Sequence, residues 1–370
     1  LTATQVVSIY SAVPISSVVE NLISGKAMGA NKWYAFTPDY SGTYEFSTTT
    51  NITYTTDGSQ LSSVAGSAVS STMALTAGTT YYFKSTSAQT LYFSIPIDEG
   101  EYYIKNVGQG RYLSRGHGWK KRSIIDGAGS CLTISKEGAG QYRIHFDGVD
   151  ADKYLGSDLY VDKATNDANF YTSWSFLPVD GTNYKIVCNR ATQYLDMTGR
   201  VVRAANDGIY YNSVETILTS TAPTTSDGYW AFVTKAAREN LQSASTASPL
   251  DVTYLVSNPD FEQNTVDGDN GTESFNGWTN DGLNYATYWL NEAIGNHYFV
   301  EKWVASGGNI ANASIKQTLS SLPLGQYRFE ADVHAIQETE TPTVTGVTLY
   351  MGDQTVAVSN TTNNKETKTV

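Results

Sequence analysis

One short phrase recurs three times between Gly100 and Val233, and it constrains the fold before composition does. An aromatic-basic strand and a polar turn lead to Tyr-Leu: Tyr103-Ile104-Lys105 before Arg111-Tyr112-Leu113, Tyr142-Arg143-Ile144 before Lys153-Tyr154-Leu155, and Tyr184-Lys185-Ile186 before Gln193-Tyr194-Leu195. The second-phrase tyrosines are 42 positions (112 to 154) and 40 positions (154 to 194) apart. Such a period marks a supersecondary unit that cannot bury its own apolar face and must close on its copies. Leu132-Thr133-Ile134, Trp174-Ser175-Phe176 and Trp230-Ala231-Phe232 continue the pattern at intervals of 42 (132 to 174) and 56 (174 to 230). The difference, 56 − 42 = 14, is expected as an insertion in the Ser/Thr-rich loop between Thr216 and Gly228.

With 370 residues the chain exceeds one core and divides into two or three domains. Its 7 Trp, 26 Tyr and 12 Phe supply a globular interior, and charged residues are only 16%. The net charge of −12, with no basic run longer than Lys120-Lys121-Arg122, argues against a nucleic-acid partner and against attraction to anionic membranes. No apolar run approaches the roughly 20 residues of a membrane span. The opening Leu1-Thr2-Ala3 is read as mature or trimmed, and the Ser, Thr, Asn, Gly and Tyr content suits a secreted or cell-surface β-protein. Cys131 and Cys188 either form one disulfide outside the cell or stay free as small buried hydrophobes.

The fold class is all-β. Residues 1–98 open with a stretch at Val13 to Ile23 whose helical spacing is mixed, then carry short aromatic and β-branched runs between Ser-Gly, Asp-Gly and Ala-Gly turns, the pattern of a small sandwich. Trp33-Tyr34-Ala35-Phe36-Thr37-Pro38, Ser41-Gly42-Thr43-Tyr44 and Leu75-Thr76-Ala77-Gly78-Thr79-Thr80-Tyr81-Tyr82 resemble the accessory jelly-roll domains of secreted bacterial peptidases. Pro96 to Gly100 marks a boundary. Residues 99–233, three copies of a four-strand unit, resemble the ricin-B-type lectin family, which implies a β-trefoil.

That family usually places Gln two residues before the repeat Trp; here Ser130, Thr172 and Gly228 stand there, and Leu132 replaces the first Trp. The resemblance implies a sugar-accepting Asp after each Tyr-Leu and an aromatic ring downstream. The third copy keeps this order, with Asp196 and then Tyr210, Tyr211 and Asn212; the first has Ser114, with His117 and Trp119 following in a loop; the second has Gly156, with Asp158 two positions on. A ring against sugar C–H faces and carboxylates or amides on its hydroxyls form a sufficient minimal set. Asp after a strand also serves simply to cap a turn.

Thr234 to Leu241 reads as a short helix inside a linker of residues 234–250 that ends at Pro249. Residues 251–370 form a third unit. Asp251-Val252-Thr253-Tyr254-Leu255-Val256-Ser257-Asn258-Pro259-Asp260-Phe261-Glu262 resembles the first strand of galactose-binding-like β-sandwiches, the fold of many carbohydrate-binding modules. Gly277-Trp278, Ile315 to Leu319 and the alternating Leu322 to Phe329 agree with that resemblance. It implies a structural Ca²⁺ at Asp260 and Glu262, whose carboxylates suit a hard cation. It also implies sugar contacts in the ring-rich loops, with Tyr288, Trp289 and Trp303 as candidates. Because the sequence stops while entering a strand at Lys368-Thr369-Val370, this unit is expected to be incomplete, with more protein beyond it.

No His-Glu-x-x-His, Gly-x-Ser-x-Gly or phosphate loop occurs, so a catalytic role is not expected within these residues. The reading is a secreted or cell-surface multi-module protein binding glycans or polysaccharide, or the non-catalytic targeting region of a larger glycan-degrading enzyme. The alternative is a structural or adhesive surface protein that binds host protein and whose trefoil has lost its sugar sites. The combination of units looks like the secreted proteins of gut Bacteroidetes.

Overall fold

The computed structural model describes residues 19–61, 65–116, 121–165, 169–204, 210–263, 265–266, 276–283, 285–287, 299–302, 304, 308, 310, 312–320, 322–333, 346–358 and 366–370. The chain is all-β, and the helical spacing noted at Val13 to Ile23 ends in a strand at Glu20–Asn21, with residues 1–18 outside the described set.

The aromatic runs of the first unit alternate inward and outward as strands do. They form β1 (Glu20–Asn21), β2 (Lys26–Met28), β3 (Trp33–Phe36), β4 (Gly42–Phe46), β5 (Ile52–Thr55), β6 (Ser67–Ala68), β7 (Thr72–Leu75), β8 (Tyr81–Ser85), β9 (Gln89–Leu91) and β10 (Phe93–Ser94). A sheet in the order β1-β3-β8-β5-β6 faces one in the order β10-β4-β7, and Tyr44, Phe46, Ile52, Phe83, Leu91 and Phe93 fill the space between.

Twelve strands follow in three groups of four. The first is β11 (Gly100–Asn106), β12 (Tyr112–Arg115), β13 (Ser123–Asp126) and β14 (Leu132–Gly138). The second is β15 (Gln141–Phe146), β16 (Lys153–Tyr154), β17 (Lys163–Ala164) and β18 (Trp174–Pro178), and the third β19 (Asn183–Cys188), β20 (Gln193–Ala204), β21 (Tyr210–Thr219) and β22 (Trp230–Thr234). The outer strands of each group pair in a closed ring, β11-β14-β15-β18-β19-β22 and back to β11. The inner strands form the hairpins β12–β13, β16–β17 and β20–β21. A six-strand ring with three hairpins is the β-trefoil arrangement, and closure removes the sheet edges that each copy alone would expose.

The repeat is visible layer by layer. Ile104, Ile144 and Ile186 are fully buried, as are Leu113, Leu155 and Leu195 and then Leu132, Trp174 and Trp230. The equivalent tyrosines are therefore Tyr102, Tyr142 and Tyr184, two positions before each Ile, so Tyr103 is one residue out of register with the other two copies. Those rings close one end of the core with Phe176 and Phe232: Tyr142 lies 4.9 Å from Phe176, Tyr184 5.2 Å from Phe232, and Phe176 4.8 Å from Phe232.

The insertion in the third copy sits mainly in its hairpin and only partly in the following loop. Tyr112 pairs with Asp126, whereas the equivalent Tyr194 pairs with Thr219, which lengthens β20 and β21 to 12 and 10 residues.

The first unit is fused to the trefoil. Leu177 and Val187 belong to its core cluster, and the Phe176 N–H donates to Ser94 Oγ while the Phe176 carbonyl accepts from Ile95. A buried network joins Ser24 Oγ to Ser175 Oγ at 2.8 Å and to Asn189 Oδ1 at 3.1 Å. Two left-handed glycines permit the approach: a Cβ on Gly25 would lie 2.6 Å from Arg190 N, and one on Gly140 2.7 Å from Phe93 Cα. Both cysteines are free.

The linker helix α1 (Lys235–Arg238) is one turn, capped by Thr234 Oγ1 accepting from the Ala237 N–H. After it the expected first strand of the third unit is instead a run of turns, with a 3₁₀ turn at Thr253–Leu255. Besides Thr265–Val266, which pairs with β21, its described strands are short antiparallel pairs, Thr279–Asp281 with Ser314–Lys316, Tyr285–Thr287 with Phe299–Glu301, Glu330–Val333 with Glu366–Thr369, and Val347–Met351 with Gln354–Val358. The alternating stretch Leu322 to Phe329 is not itself a strand; Phe329 exchanges backbone hydrogen bonds with Val370, and the strand runs from Glu330. Among the described residues no helix is long and apolar enough to cross a membrane.

Candidate functional site

The three equivalent positions after Tyr-Leu are Ser114, Gly156 and Asp196, and each has a different fate. Asp196 is partly exposed on β20. Among the described residues its carboxylate accepts one hydrogen bond, from the Met197 N–H at 2.8 Å. Burial and the neighbouring Asp227 raise its pKa, and the Met197 bond opposes them. Gly228 packs beside it: a Cβ there would lie 3.5 Å from Asp196 Cγ.

Residues absent from the sequence-based set complete this neighbourhood. Asp227, exposed, accepts from Gln109 Nε2 at 3.1 Å, and Asn106 Nδ2 donates to the Asp227 carbonyl at 2.6 Å. Asn106 ends β11 and Gln109 lies in the turn that follows, so the site spans the seam where the first and last strands of the ring meet. The only sequence signal was the Gly-rich turn Val107-Gly108-Gln109-Gly110. Two carboxylates and the Gln109 amide at a partly open surface match the donors and acceptors of sugar hydroxyls, while Asn106 is fully buried and spends its amide on the Asp227 carbonyl and the Gln109 N–H.

The structure does not bring Tyr210, Tyr211 and Asn212 beside Asp196. Asp196 pairs with Ile217, while those three residues pair with Ala204, Arg203 and Val202 near the hairpin tip. Five residues of strand between Asn212 and Ile217 amount to about 17 Å. The lengthened hairpin is the cause, and it lets Tyr210 and Tyr211 pair instead with Val266 and Thr265. His117, Trp119, Tyr288, Trp289 and Trp303 lie outside the described residues.

In the second copy, Asp158 is engaged by Lys163 at 2.8 Å, and the Lys163 ammonium lies 4.0 Å from the Phe170 ring centroid. In the first copy the Ser114 position is covered by the third unit. Gln263 Nε2 donates to Asp126 Oδ2 and, at 3.4 Å, to Ser114 Oγ.

Asp260 and Glu262, the expected calcium ligands, hold a guanidinium. Arg111 Nη1 lies 3.0 Å from Glu262 Oε1 and 3.3 Å from Asp260 Oδ2, and Asp260 Oδ2 also accepts from the Gly127 N–H at 2.7 Å. Burial, opposed by Arg111 and reinforced by Asp126 and Glu262, pushes Asp260 up to about 7. With a fixed cation between them, this pair does not fit a calcium site. No cluster of three or more His, Cys, Asp or Glu side chains suited to a metal occurs among the described residues.

An open groove of about 780 Å³ lies where the chain enters and leaves the ring, lined in part by Glu101, Lys235 and Glu239. Three of its acids are engaged: Glu99 accepts from the Lys136 N–H at 2.6 Å, Glu101 meets Lys235 at 2.9 Å, and Glu239 accepts from Tyr103 OH at 2.7 Å.

No family model matches the chain, and no curated protein matches it. Among solved structures it is similar in part to a designed threefold-symmetric protein, ThreeFoil, at 15% identity over 36% of this chain and 98% of that one, with a TM-score of 0.28. A Caenorhabditis elegans protein of unknown function matches at 12% identity over 37% of this chain and 94% of that one, with a TM-score of 0.27. The GlcNAcα1-4Gal-releasing endo-β-galactosidase from Clostridium perfringens matches at 11% identity over 46% of each chain, with a TM-score of 0.26.

Proposed function

We propose that this protein is a secreted or cell-surface, multi-module carbohydrate-binding protein, non-catalytic within these residues, that presents glycans with a trefoil site centred on Asp196. The observation that carries the reading is the different fate of the three equivalent positions: Ser114 is covered, Gly156 has no carboxylate, and Asp196 is a partly exposed carboxylate beside Asp227 and Gln109. The same construction would serve the targeting region of a larger glycan-degrading enzyme from a gut Bacteroidetes-type organism.

A glycan array comparing wild type with Asp196→Ala and Trp289→Ala tests it. Signal lost in Asp196→Ala assigns the trefoil site, and signal lost in Trp289→Ala assigns the third unit instead. A wild type silent on every glycan sinks the carbohydrate reading. The covered first copy favours one second reading, a structural or adhesive protein whose trefoil serves as a rigid core. That reading predicts a silent array together with retention on a host-protein surface.

A further inference from the structure

The contact between the first trefoil hairpin and loop 258–263 has the composition of a binding site with its ligand in place. The hairpin side is built by the trefoil alone. Asp126 is fully buried at the end of β13 and accepts from the Gly129 N–H at 2.5 Å. Ser114 Oγ and Ser130 Oγ sit 3.2 Å apart beside it, and Arg111 projects from the turn before β12. These groups are a carboxylate, two hydroxyls and a guanidinium on one face of the hairpin, each but Ser130 in contact with loop 258–263.

The loop answers each of them. Glu262 and Asp260 place carboxylates on Arg111, and the Gln263 carboxamide donates to Asp126 and Ser114. Its shape comes from its own unit: Trp278 Nε1 donates to the Asn258 carbonyl at 2.9 Å, Asn258 Nδ2 donates to the Asn276 carbonyl at 3.1 Å, and the Gln263 N–H donates to Asn258 Oδ1 at 2.9 Å. Two preformed polar surfaces that meet through hydrogen bonds and ion pairs exchange partners more readily than an apolar seam does.

We propose that loop 258–263 is an intramolecular stand-in that covers a pocket for an acidic saccharide in the first trefoil repeat. The sugar's carboxylate takes the place of Glu262 and Asp260 on Arg111, and a hydroxyl or acetamido N–H takes the place of the Gln263 amide on Asp126. The ligand class rests on the carbohydrate reading above; the cover itself does not.

The test uses the full chain with Asp196→Ala, so that the third-repeat site is silent. Two release variants are made in that background, Glu262→Ala with Gln263→Ala, and the near-isosteric Gln263→Glu, which sets a carboxylate against Asp126. Hydrogen exchange at the Gly127 and Gly129 amides reads the opening, and titration with glucuronate and with N-acetylneuraminate reads the binding. The expected result is faster exchange and at least tenfold tighter binding of one acidic sugar than in the covered chain, abolished by adding Arg111→Met. Unchanged exchange in both variants overturns the cover, and faster exchange without binding of either sugar overturns the pocket. A wild type silent on the glycan array, with a release variant that binds, removes the Asp196 reading and leaves this one standing.

Discussion

The indole N–H of Trp230 donates to the carbonyl oxygen of Leu195 at 3.1 Å, and Trp174 repeats the bond to Leu155 at 2.9 Å. In the first copy Leu132 has no donor to offer, and the Leu113 carbonyl accepts instead from the backbone N–H of Ser130 at 3.1 Å. The repeat thus conserves an acceptor's satisfaction while changing the residue that supplies it. Trp230→Phe removes the indole bond from the buried Leu195 carbonyl, and stability is expected to fall by about 1–3 kcal/mol. Chemical denaturation of the full chain followed by far-UV circular dichroism reads the loss. The same change at Trp174 is expected to act alike, so a large disparity between the two would count against threefold equivalence.

The junction of the first unit with the trefoil turns on glycines. Gly140→Ala would put a methyl 2.7 Å from Phe93 Cα, in a left-handed backbone at φ +68°. Gly78 has a similar φ of +73° but nothing within 4 Å of its added Cβ. Gly78→Ala therefore carries the left-handed strain alone, about 1–2 kcal/mol, whereas Gly140→Ala also forces the two units apart. Thermal melting is expected to rank Gly140→Ala well below Gly78→Ala, and equal melting points would refute the close approach.

Arg238 joins the trefoil to the third unit. Its guanidinium lies 3.6 Å from the Tyr112 ring centroid, 4.2 Å from that of Tyr103 and 5.2 Å from that of Tyr254, and it donates to the Ala128 and Gly127 carbonyls. Arg238→Lys keeps the charge but loses the planar fork, and a loss of about 2 kcal/mol is expected from the missing carbonyl bonds and stacking. Urea unfolding checks it; retention of wild-type stability would mean that charge alone suffices.

Protonation of Asp196 has two opposite consequences. Its pKa is raised above 3.8 by burial first, so the folded chain holds the proton more tightly than the unfolded one. That contribution to stability is complete below 3.8 and is lost as pH rises through the raised value. Sugar binding runs the other way, since only the carboxylate accepts from hydroxyls without offering a competing donor. Affinity is expected to fall as pH drops through the raised value, and Asp196→Asn is expected to flatten that profile. A wild-type profile as flat as that of Asp196→Asn would remove Asp196 from the site.

The periodic part of this molecule was legible because its causes are local. Tyr-x-Ile and Tyr-Leu recur because each copy buries the same strand face, and only the adjacent Tyr102-Tyr103 pair hid the true register of the first copy. The insertion was legible in length but not in place, since a longer hairpin and a longer loop look alike until pairing is known. The covered pocket was not legible at all: Arg111 and Glu262 are 151 positions apart, and acids after Asn-Pro read equally well as ligands for a cation. Asn106 and Gln109 escaped for the same reason, because the closure of β11 on β22 brings them to Asp227.

That closure also determines how the molecule would respond to tension. The chain enters the ring on β11 and leaves on β22, and these two antiparallel strands are paired from Tyr102 with Thr234 to Asn106 with Trp230. Once the side contacts with the flanking units have parted, force carried by the chain arrives at one end of a single ladder and peels it, rung after rung, rather than shearing all its bonds together. The seam that completes the trefoil is the line along which a mechanical load would first unfasten it, and Asp227 with its amide partners sits beside that line.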